Sequence, residues 1–444
     1  MVDQPEHTKE TRTSVELFAG GGGLAMAVGR AGFRPLLLNE WAKRACETLA
    51  ANGAEPVPEG EAPERPPKPG EPVPLVPGDI QRLDMRYLEG QVDVLAGGPP
   101  CQPFSLGGVA KGDEDKRNMF PHMFRAVREI RPKAVICENV RGLLRPSFRD
   151  YFDYIQRELA LPFLTRGDDV DWQTHNLALT RELESGSVPN DERYDVIMTP
   201  VNAADYGVPQ VRQRVILVAF RADLGVDVEA FTKCVQTPQF SEAALHRSMR
   251  EGSYWEQHAK AGKPVPEHVI ERVMARIPDV IVDVDDQLKP WRTLRDAVRG
   301  LGTDEQLPAL RDIDLGRLDR VSEQGGDITD HVGWPDARIY PGHTPNELDR
   351  PAKTVKAGVH GVPGGESVML LDERVRDAQS PDGWRYLHRY MTVRETARVM
   401  TFPDGWKPAG PRGEKMRQLG NAVPVLLGEF FAKAVAEALD NAGR

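Results

Sequence analysis

The first half of the chain alternates short apolar runs with amphipathic stretches. Strand-like apolar runs occupy residues 15–18, 35–39, 92–96 and 134–137. Helical patterns of apolar and polar positions occupy residues 24–31, 42–51 and 119–130. Short, mostly apolar strands that alternate with helices are typical of a mostly parallel sheet buried on both faces. The pattern therefore predicts an α/β fold with helices on both faces of the sheet.

Two later segments extend the predicted sheet. The apolar runs 194–201 and 215–220 are joined by a short connection, which predicts an antiparallel pair at the sheet edge. From about residue 222 the alternation gives way to short helices, loops and glycine-rich turns, before helical patterns return near the C-terminus. We therefore predict three parts. They are a first domain at 1–221, a smaller irregular domain at 222–385, and a segment at 386–444 that returns to the first domain.

Two stretches of the first domain have the composition of insertions. Residues 53–77 are crowded with proline, glycine and glutamate, so we expect a surface insertion without a core of its own. Residues 165–190 interrupt the strand–helix alternation, and we expect a second insertion there. The residues do not indicate what either insertion does.

Charge and cysteine content exclude several classes of protein. The net charge of −10 is not that of a general nucleic-acid binder, although a local basic surface is enough for binding. The four cysteines form no Cys-x-x-Cys pair, which argues against a disulfide framework or a structural metal site. No apolar stretch is long enough to span a membrane, and residues 1–13 lack the apolar core of a signal peptide. We predict a cytoplasmic protein with reduced thiols and no metal.

One cysteine stands in an unusual setting. Residues 97–105 read Gly-Gly-Pro-Pro-Cys-Gln-Pro-Phe-Ser directly after the strand-like run 92–96. The prolines restrict the backbone on both sides of Cys101, so the loop has few conformations and can aim the sulfur. The alternative, a buried structural cysteine, is what we assume for the other three cysteines. Cys101 is therefore the candidate nucleophile.

Three polar residues follow other predicted strands. Glu138 ends the apolar run 134–137, and the segment 210–214 contributes Arg212 and Arg214. An Arg-x-Arg pair within a strand places both guanidiniums on one face, which suits a shared anionic target. The alternatives are a strand-end surface charge for Glu138 and surface ion pairs for the arginines. A thiol, a carboxylate and two guanidiniums at strand ends predict nucleophilic chemistry on a polar ring.

The start of the chain has features of a nucleoside-binding site. Glycines at 20–23 lie between the first strand and the first helix, where free backbone N–H groups can approach a ligand. Glu40 ends the second strand at a spacing suited to ribose hydroxyls, Trp41 follows for stacking on adenine, and Asp79 comes after a third strand end. Each feature alone also fits packing or a helix terminus. Together they favour a nucleoside cofactor and leave NAD and S-adenosylmethionine open.

In six short motifs the chain resembles the bacterial DNA (cytosine-5) methyltransferases. The matching motifs, in the order of that family, lie at residues 18–23, 97–105, 138–140, 210–214, 392–404 and 418–424. Six motifs in family order are specific where any one would not be. The span 222–385 is mostly uncovered, as expected for a region that differs with the target sequence. The resemblance implies a Rossmann-like S-adenosylmethionine-dependent methyltransferase domain at 1–221 and a target-recognition domain at 222–385.

The resemblance also assigns residues to the cofactor and to DNA. The cofactor S-adenosylmethionine, leaving as S-adenosylhomocysteine, is expected to contact Phe18, Gly20, Gly22, Gly23, Leu24, Glu40, Trp41, Asp79, Ile80, Pro100, Met119, Asn421 and Val423. At Met119 the chain departs from the family, because one residue fewer follows Arg117 than usual. Double-stranded DNA is expected to contact Ser105, Arg350, Lys353, Thr354 and Lys356, with Thr354 at the target phosphate. A plain surface hairpin is the alternative for residues 350–365.

The chemistry implied by the family fits these residues. Addition of the Cys101 thiolate to carbon 6 of cytosine makes carbon 5 nucleophilic toward a methyl sulfonium. Glu138 would bind or protonate ring nitrogen 3, Arg214 would donate to O2, and Arg212 would hold a phosphate or the loop. The base that removes the carbon 5 proton is not identifiable. A base inside a duplex is out of reach, so the nucleotide must be flipped out.

Three other functions are less consistent with these residues. A tRNA methyltransferase of the same superfamily shares the cysteine motif, but the long 222–385 span favours DNA. A catalytically silent DNA-binding relative is disfavoured by the retained Cys101, Glu138, Arg212 and Arg214. A nicotinamide dehydrogenase has no use for the proline-flanked thiol. A cognate restriction nuclease or other defence system is a possible partner, no membrane partner is expected, and a monomer is the default expectation.

Overall fold

The computed structural model describes residues 11–58, 61–100, 118–281, 285, 287–302, 307–318, 326–339, 344–357 and 367–443. The strands are β1 Thr13–Leu17, β2 Arg34–Glu40, β3 Glu55–Pro56, β4 Pro74–Pro77, β5 Val94–Gly97, β6 Ala134–Val140, β7 Tyr194–Asn202, β8 Gln213–Arg221, β9 Phe240–Ser241, β10 Lys289–Pro290, β11 Val368–Arg376 and β12 Trp384–Tyr390. The α-helices are α1 Gly23–Arg30, α2 Lys43–Ala51, α3 Phe120–Ile130, α4 Arg149–Ala160, α5 Trp172–Ser185, α6 Val228–Gln236, α7 Glu242–Glu251, α8 Ser253–Lys260, α9 Glu267–Met274, α10 Leu294–Arg299, α11 Val393–Val399, α12 Arg412–Asn421 and α13 Val425–Ala442.

A large mixed sheet organises the first half of the described chain. Its strand order is β3-β4-β2-β1-β5-β6-β8-β7. Strands β3, β4, β2, β1, β5 and β6 are parallel to one another, whereas β8 runs antiparallel to both β6 and β7. The predicted α/β fold and the predicted antiparallel pair at the sheet edge are both confirmed.

The central strands are mostly apolar because both faces of the sheet are covered. Successive residues of a strand point to opposite faces. Leu95 and Val135 therefore join a core on the side of α3 and α4, while Ala96 and Ile136 join a second core that contains Phe431 of α13. Helix α13 also packs against α1.

The expectation for residues 53–77 is wrong at the two ends of the stretch, whereas the described residues between 57 and 72 form a largely exposed connection as expected. This stretch contributes β3 and β4 to the edge of the main sheet, where β4 pairs in parallel with β2. Leu75 of β4 is fully buried and lies opposite Leu38. The strand escapes recognition because it has only four residues and a proline at each end, and prolines are tolerated at strand ends and sheet edges. In the stretch 165–190, helix α5 packs against α4 through the buried Leu179.

The described part of residues 222–385 is built from several small units. Helix α6 packs against β7 and α13, and its Phe231 joins the core of the main sheet. Helices α7 to α9 form their own small core around Tyr254 and Val269, and β11 and β12 form an antiparallel hairpin. The division of the chain into three parts stays a prediction. Among the described residues, no helix is both long enough and apolar enough to cross a bilayer.

Candidate active site

A cleft of about 430 Å³ opens where the parallel strands end. Strands β2 and β5 lie on opposite sides of β1, so the chain reverses direction along the sheet at β1. Ligands of open α/β sheets bind in the crevice outside the strand ends at such a switch point. Of the predicted site residues, the cleft is lined by Phe18, Gly20, Gly23, Leu24, Glu40, Trp41, Pro100, Glu138, Arg212, Arg214, Asn421 and Val423.

The glycine turn after β1 needs glycine for two separate reasons. Gly22 has a φ of +86°, which L side chains rarely adopt, and a Cβ there would lie 2.7 Å from the indole of Trp406. Gly23 begins α1, and a Cβ there would lie 2.3 Å from the carbonyl oxygen of Val423. The turn is therefore packed closely against the C-terminal segment, and Gly22 faces Trp406 rather than the cleft.

Replacing Gly22 by alanine is expected to destabilise the protein. The left-handed backbone and the collision with Trp406 together cost about 2 kcal/mol or more of unfolding free energy. Gly29 lies inside α1 with nothing within 4 Å of its Cβ position, so Gly29→Ala provides the matched control. The control is expected to be neutral or to stabilise by up to about 1 kcal/mol. Thermal unfolding of both variants checks this, and equal midpoints would contradict the packing described.

Glu40 is held rigidly at one wall of the cleft. Its carboxylate accepts hydrogen bonds from the backbone N–H groups of Gly20 and Ala42, both at 2.7 Å. The residue is buried, and its two oxygens retain lone pairs for further donors. Trp41 lines the same cleft and is 70% exposed, so its ring is accessible for stacking.

Glu16 is a cleft residue that the sequence analysis did not single out. It lies in β1, is 4% exposed, and its Oε2 has no hydrogen-bond partner among the described residues. Burial raises the pKa of Glu16 well above its ordinary value, and the nearby charge of Glu40 adds to this. The signal available in the sequence was an acid within the otherwise apolar strand run 15–18.

An ion pair forms the opposite wall. Arg214 Nε lies 2.7 Å from Glu138 Oε1, and both side chains are largely buried. The pair forms because β6 and β8 are antiparallel, with Val140 opposite Arg214. A Cβ at Gly98 would lie 3.7 Å from Glu138 Oε2, so the backbone that leads toward residue 101 passes next to this carboxylate.

Asn139 anchors the same loop. Its Nδ2 donates to the carbonyl oxygen of Pro99 at 3.0 Å, and its Oδ1 accepts from the N–H of Val140. The loop is therefore tied to β6 at the last positions before the predicted nucleophile. Cys101 and Ser105 themselves lie outside the described residues.

Arg212 does not lie on a strand, so the expectation that it shares a strand face with Arg214 is wrong. It precedes β8 and is 1% exposed. Its guanidinium donates to the carbonyl oxygens of Val355 at 2.9 Å, Gly420 at 2.8 Å and Ala422 at 3.0 Å. Burial lowers the pKa of Arg212 to about 9, with a smaller contribution from the charge of Arg214. Of the two predicted roles, holding a loop fits these contacts.

The predicted DNA segment lies directly beside Arg212. Thr354 Oγ1 donates to the carbonyl oxygen of Val211 at 2.8 Å, and Lys353 Nζ donates to that of Thr344 at 2.6 Å. Arg350 pairs with Glu242 at 3.5 Å, and Lys356 is exposed. Residues 358–365 of the segment lie outside the described residues.

Four predicted cofactor residues do not line the cleft: Gly22, Asp79, Ile80 and Met119. Asp79 instead caps a short turn by accepting from the N–H of Gln81, and Ile80 is buried in the core. The cleft gains residues that sequence reasoning missed, namely Glu16, Ala19, Gly21, Ala42, Arg44, Ala45, Gly98, Pro99, Asn139, Val140, Glu414, Arg417, Gln418, Gly420 and Ala422. No group of three or more His, Cys, Asp or Glu side chains in the described ranges is placed to hold a metal ion.

Comparison with known proteins defines the class and then the family. A prophage-encoded protein of E. coli described as a DNA modification methyltransferase has a similar fold, with a TM-score of 0.50 and 19% identity over 97% of this chain and 99% of that chain. The chain belongs to the C-5 cytosine-specific DNA methylase family, whose profile matches residues 12–161 and 188–437. It is thus a methyltransferase of the DNA (cytosine-5-) class.

Two relatives match nearly the whole chain. Type II methyltransferase M.Eco47II of Escherichia coli is 29% identical over 450 residues, covering 99% of this chain and 82% of the relative. Type II methyltransferase M.PspPI of a Psychrobacter species is 29% identical over 433 residues, covering 96% of this chain and 80% of the relative. The family resemblance found in the six motifs is confirmed.

Proposed function

We propose that the protein transfers a methyl group from S-adenosylmethionine to carbon 5 of a flipped-out cytosine in a specific duplex sequence, through a covalent bond between Cys101 and carbon 6. The observation that carries the proposal is the Glu138–Arg214 pair. This pair lines the cleft, and Glu138 lies beside Gly98. Gly98 precedes Cys101 by three residues. A carboxyl and a guanidinium held at this separation match a ring that offers nitrogen 3 and O2 on one edge.

The cleft fits the proposed cofactor. An unpartnered buried carboxyl on Glu16 and a rigid carboxylate on Glu40 suit a ligand with a cationic centre, an amino group and ribose hydroxyls. Phe18, Trp41 and Asn421 line the same cleft and would hold the rest of the molecule. When bound, S-adenosylmethionine supplies an electrophilic methyl group on a sulfonium.

The residues of this chain then act on the cytosine. The Cys101 thiolate adds to carbon 6, and Glu138 places a proton on nitrogen 3, so the negative charge does not build up on the ring. Arg214 donates to O2 and keeps the base in register with Glu138. After methylation, a base takes the carbon 5 proton, the thiolate leaves carbon 6 and the nitrogen 3 proton returns to Glu138, which restores the aromatic ring.

The remaining partners follow from the proposed DNA substrate. Thr354 and Lys356, with Arg350 and Lys353, would contact target-strand phosphates, and the 222–385 region would read the sequence. The named relatives are Type II methyltransferases, so a cognate restriction nuclease is the proposed partner. Action on chromosomal DNA places the enzyme in the bacterial cytoplasm.

The proposal is tested by in vitro methyl transfer. Purified protein, methyl-labelled S-adenosylmethionine and mixed-sequence duplex DNA are incubated, and the digested nucleosides are separated by mass. We expect label in 5-methyldeoxycytidine alone. Label in methyladenine, or label in tRNA and none in DNA, would overturn the proposal.

Replacing Glu40 by alanine is expected to weaken binding of S-adenosylhomocysteine about tenfold or more, because hydrogen bonds to a charged group contribute about 1.5–3 kcal/mol. Isothermal calorimetry measures the affinity. Glu55→Gln, at an exposed position of β3, serves as the control and should bind normally. Since Glu40 also holds Gly20 and Ala42, unfolding midpoints must accompany the measurement. Unchanged affinity in a folded Glu40→Ala variant would contradict the assignment.

A further inference from the structure

Three arginines lie on the surface that follows β6. Arg141 and Arg149 are exposed and Arg145 is partly exposed, at a regular spacing of four residues. They begin directly after Val140, which lines the cleft. Leu143 and Phe148, between them in the chain, are buried in the main core, so the turns that carry the arginines are fixed to the sheet. We call Arg141, Arg145 and Arg149 the arginine rim.

Among the described residues, the arginine rim has none of the carboxylate partners that other arginines of this protein have. Arg86 pairs with Asp84, Arg193 with Asp195 and Arg221 with Asp223. No carboxylate of the described residues lies within ion-pair distance of a rim guanidinium, and the polar partner seen for Arg141 is Gln213 Oε1 at 3.2 Å. In a chain with a net charge of −10, residues 141–149 contain three arginines and no acidic residue, so this segment is locally positive up to Asp150.

Arg149 lies at the end of a helix that disfavours a positive charge. Arg149 is the first residue of α4, and a cation at a helix N-terminus opposes the helix dipole. The helix dipole therefore does not favour an arginine at this position, which Asp150 follows in the same first turn. The bond from Arg141 to Gln213 also ties the rim to the residue before Arg214, which places the positive surface at the edge of the active site.

We propose that the arginine rim binds the phosphates of duplex DNA next to the flipped nucleotide, from the side of the catalytic sheet. This inference rests on the proposed function and adds to it a DNA contact outside the 350–365 segment and the 222–385 region. Guanidiniums bind phosphate oxygens in pairs of hydrogen bonds, and the exposed Arg141 and Arg149, which no described carboxylate neutralises, can present such donors.

The test is the salt dependence of DNA binding. Each phosphate contact adds about 0.9 to the slope of log affinity against log salt. The triple variant Arg141→Gln, Arg145→Gln, Arg149→Gln is expected to lose about 2–3 from that slope, and its affinity at about 0.1 M NaCl should fall at least about tenfold. Binding is measured by anisotropy of a labelled mixed-sequence duplex with saturating S-adenosylhomocysteine.

Two further variants make the result specific. The control Arg86→Gln, Arg193→Gln, Arg221→Gln removes the same charge from paired arginines, and Arg221 lies at the opposite end of the sheet, beside the start of β6. It should keep the wild-type slope. The triple lysine variant of the rim keeps the charge and should restore most of the slope, which a purely structural role would not produce.

The outcomes separate the inference from the proposed function. If the wild type methylates cytosine in DNA but the rim variant keeps the wild-type slope, the inference alone is overturned. The same holds if the control variant loses as much slope as the rim variant. A wild type that binds an RNA hairpin and not the duplex overturns both.

Discussion

Cys101→Ala is expected to lower methyl transfer on the order of 10⁴-fold or more while S-adenosylhomocysteine binds with wild-type affinity. The reason is that carbon 5 of cytosine becomes nucleophilic only after a thiolate adds to carbon 6, and no other group replaces that bond. The cofactor cleft is built by β1, β2 and the C-terminal segment, so the loss of one sulfur atom leaves its walls intact. Single-turnover methyl transfer and calorimetry on the same preparation provide the two readouts.

Cys234→Ala is the matched control for this variant. Cys234 is exposed on α6, away from the strand ends that form the cleft, and it should keep full activity. Turnover by Cys101→Ala within a factor of ten of the wild type would remove Cys101 from its proposed role.

Glu138→Gln is expected to reduce kcat by about 10²–10⁴-fold, the usual contribution of a positioned acid. Glutamine keeps the shape of the side chain but cannot release a proton to nitrogen 3, and it leaves the guanidinium of Arg214 without its counter-ion in a largely buried site. Because Asn139 still anchors Pro99, cofactor affinity should change little. Steady-state kinetics with saturating cofactor separates the fall in kcat from any change in KM for DNA.

A second ion pair on the same strand gives the comparison. Asp223→Asn breaks the pair with Arg221 at the far end of β8, where the partners are partly exposed and such pairs contribute little. This variant should keep the wild-type kcat. A Glu138→Gln enzyme with the same kcat as Asp223→Asn would show that Glu138 is not the acid.

Much of the fold follows from local patterns in the sequence. Runs such as 94–96 and 134–137 are apolar at every position because both sheet faces are covered, and this is visible without a structure. Strand β4 was missed because two prolines and four residues give no periodicity to detect. It is a strand only because β2 offers it a partner, which is a tertiary effect.

Part of the site could be predicted because the spacing of residues along the sequence indicates which of them meet. Glu40 and the glycine turn are twenty residues apart, and the structure joins them through one hydrogen bond to Gly20. The role of Arg212 was not predictable in this way. Its three carbonyl partners come from residues 355, 420 and 422, so its environment depends on packing between distant parts of the chain.

The same packing brings the cleft and the predicted DNA segment into contact. Gly420, beside the cofactor cleft, lies so close to the predicted DNA segment that a Cβ there would be 2.5 Å from the backbone nitrogen of Ala357. The guanidinium of Arg212 donates hydrogen bonds to both segments, to the carbonyl oxygens of Val355 and Gly420. Glycine at 420 is therefore required by the close approach of two backbones, which a sequence motif alone does not reveal.

The most direct test of the central claim is bisulfite sequencing of DNA from a methylation-free bacterial host that expresses either the wild-type chain or Cys101→Ala. The account predicts 5-methylcytosine in one fixed sequence context in the wild-type strain and none in the variant strain. Absence of 5-methylcytosine in both strains, with soluble protein in each, would contradict it.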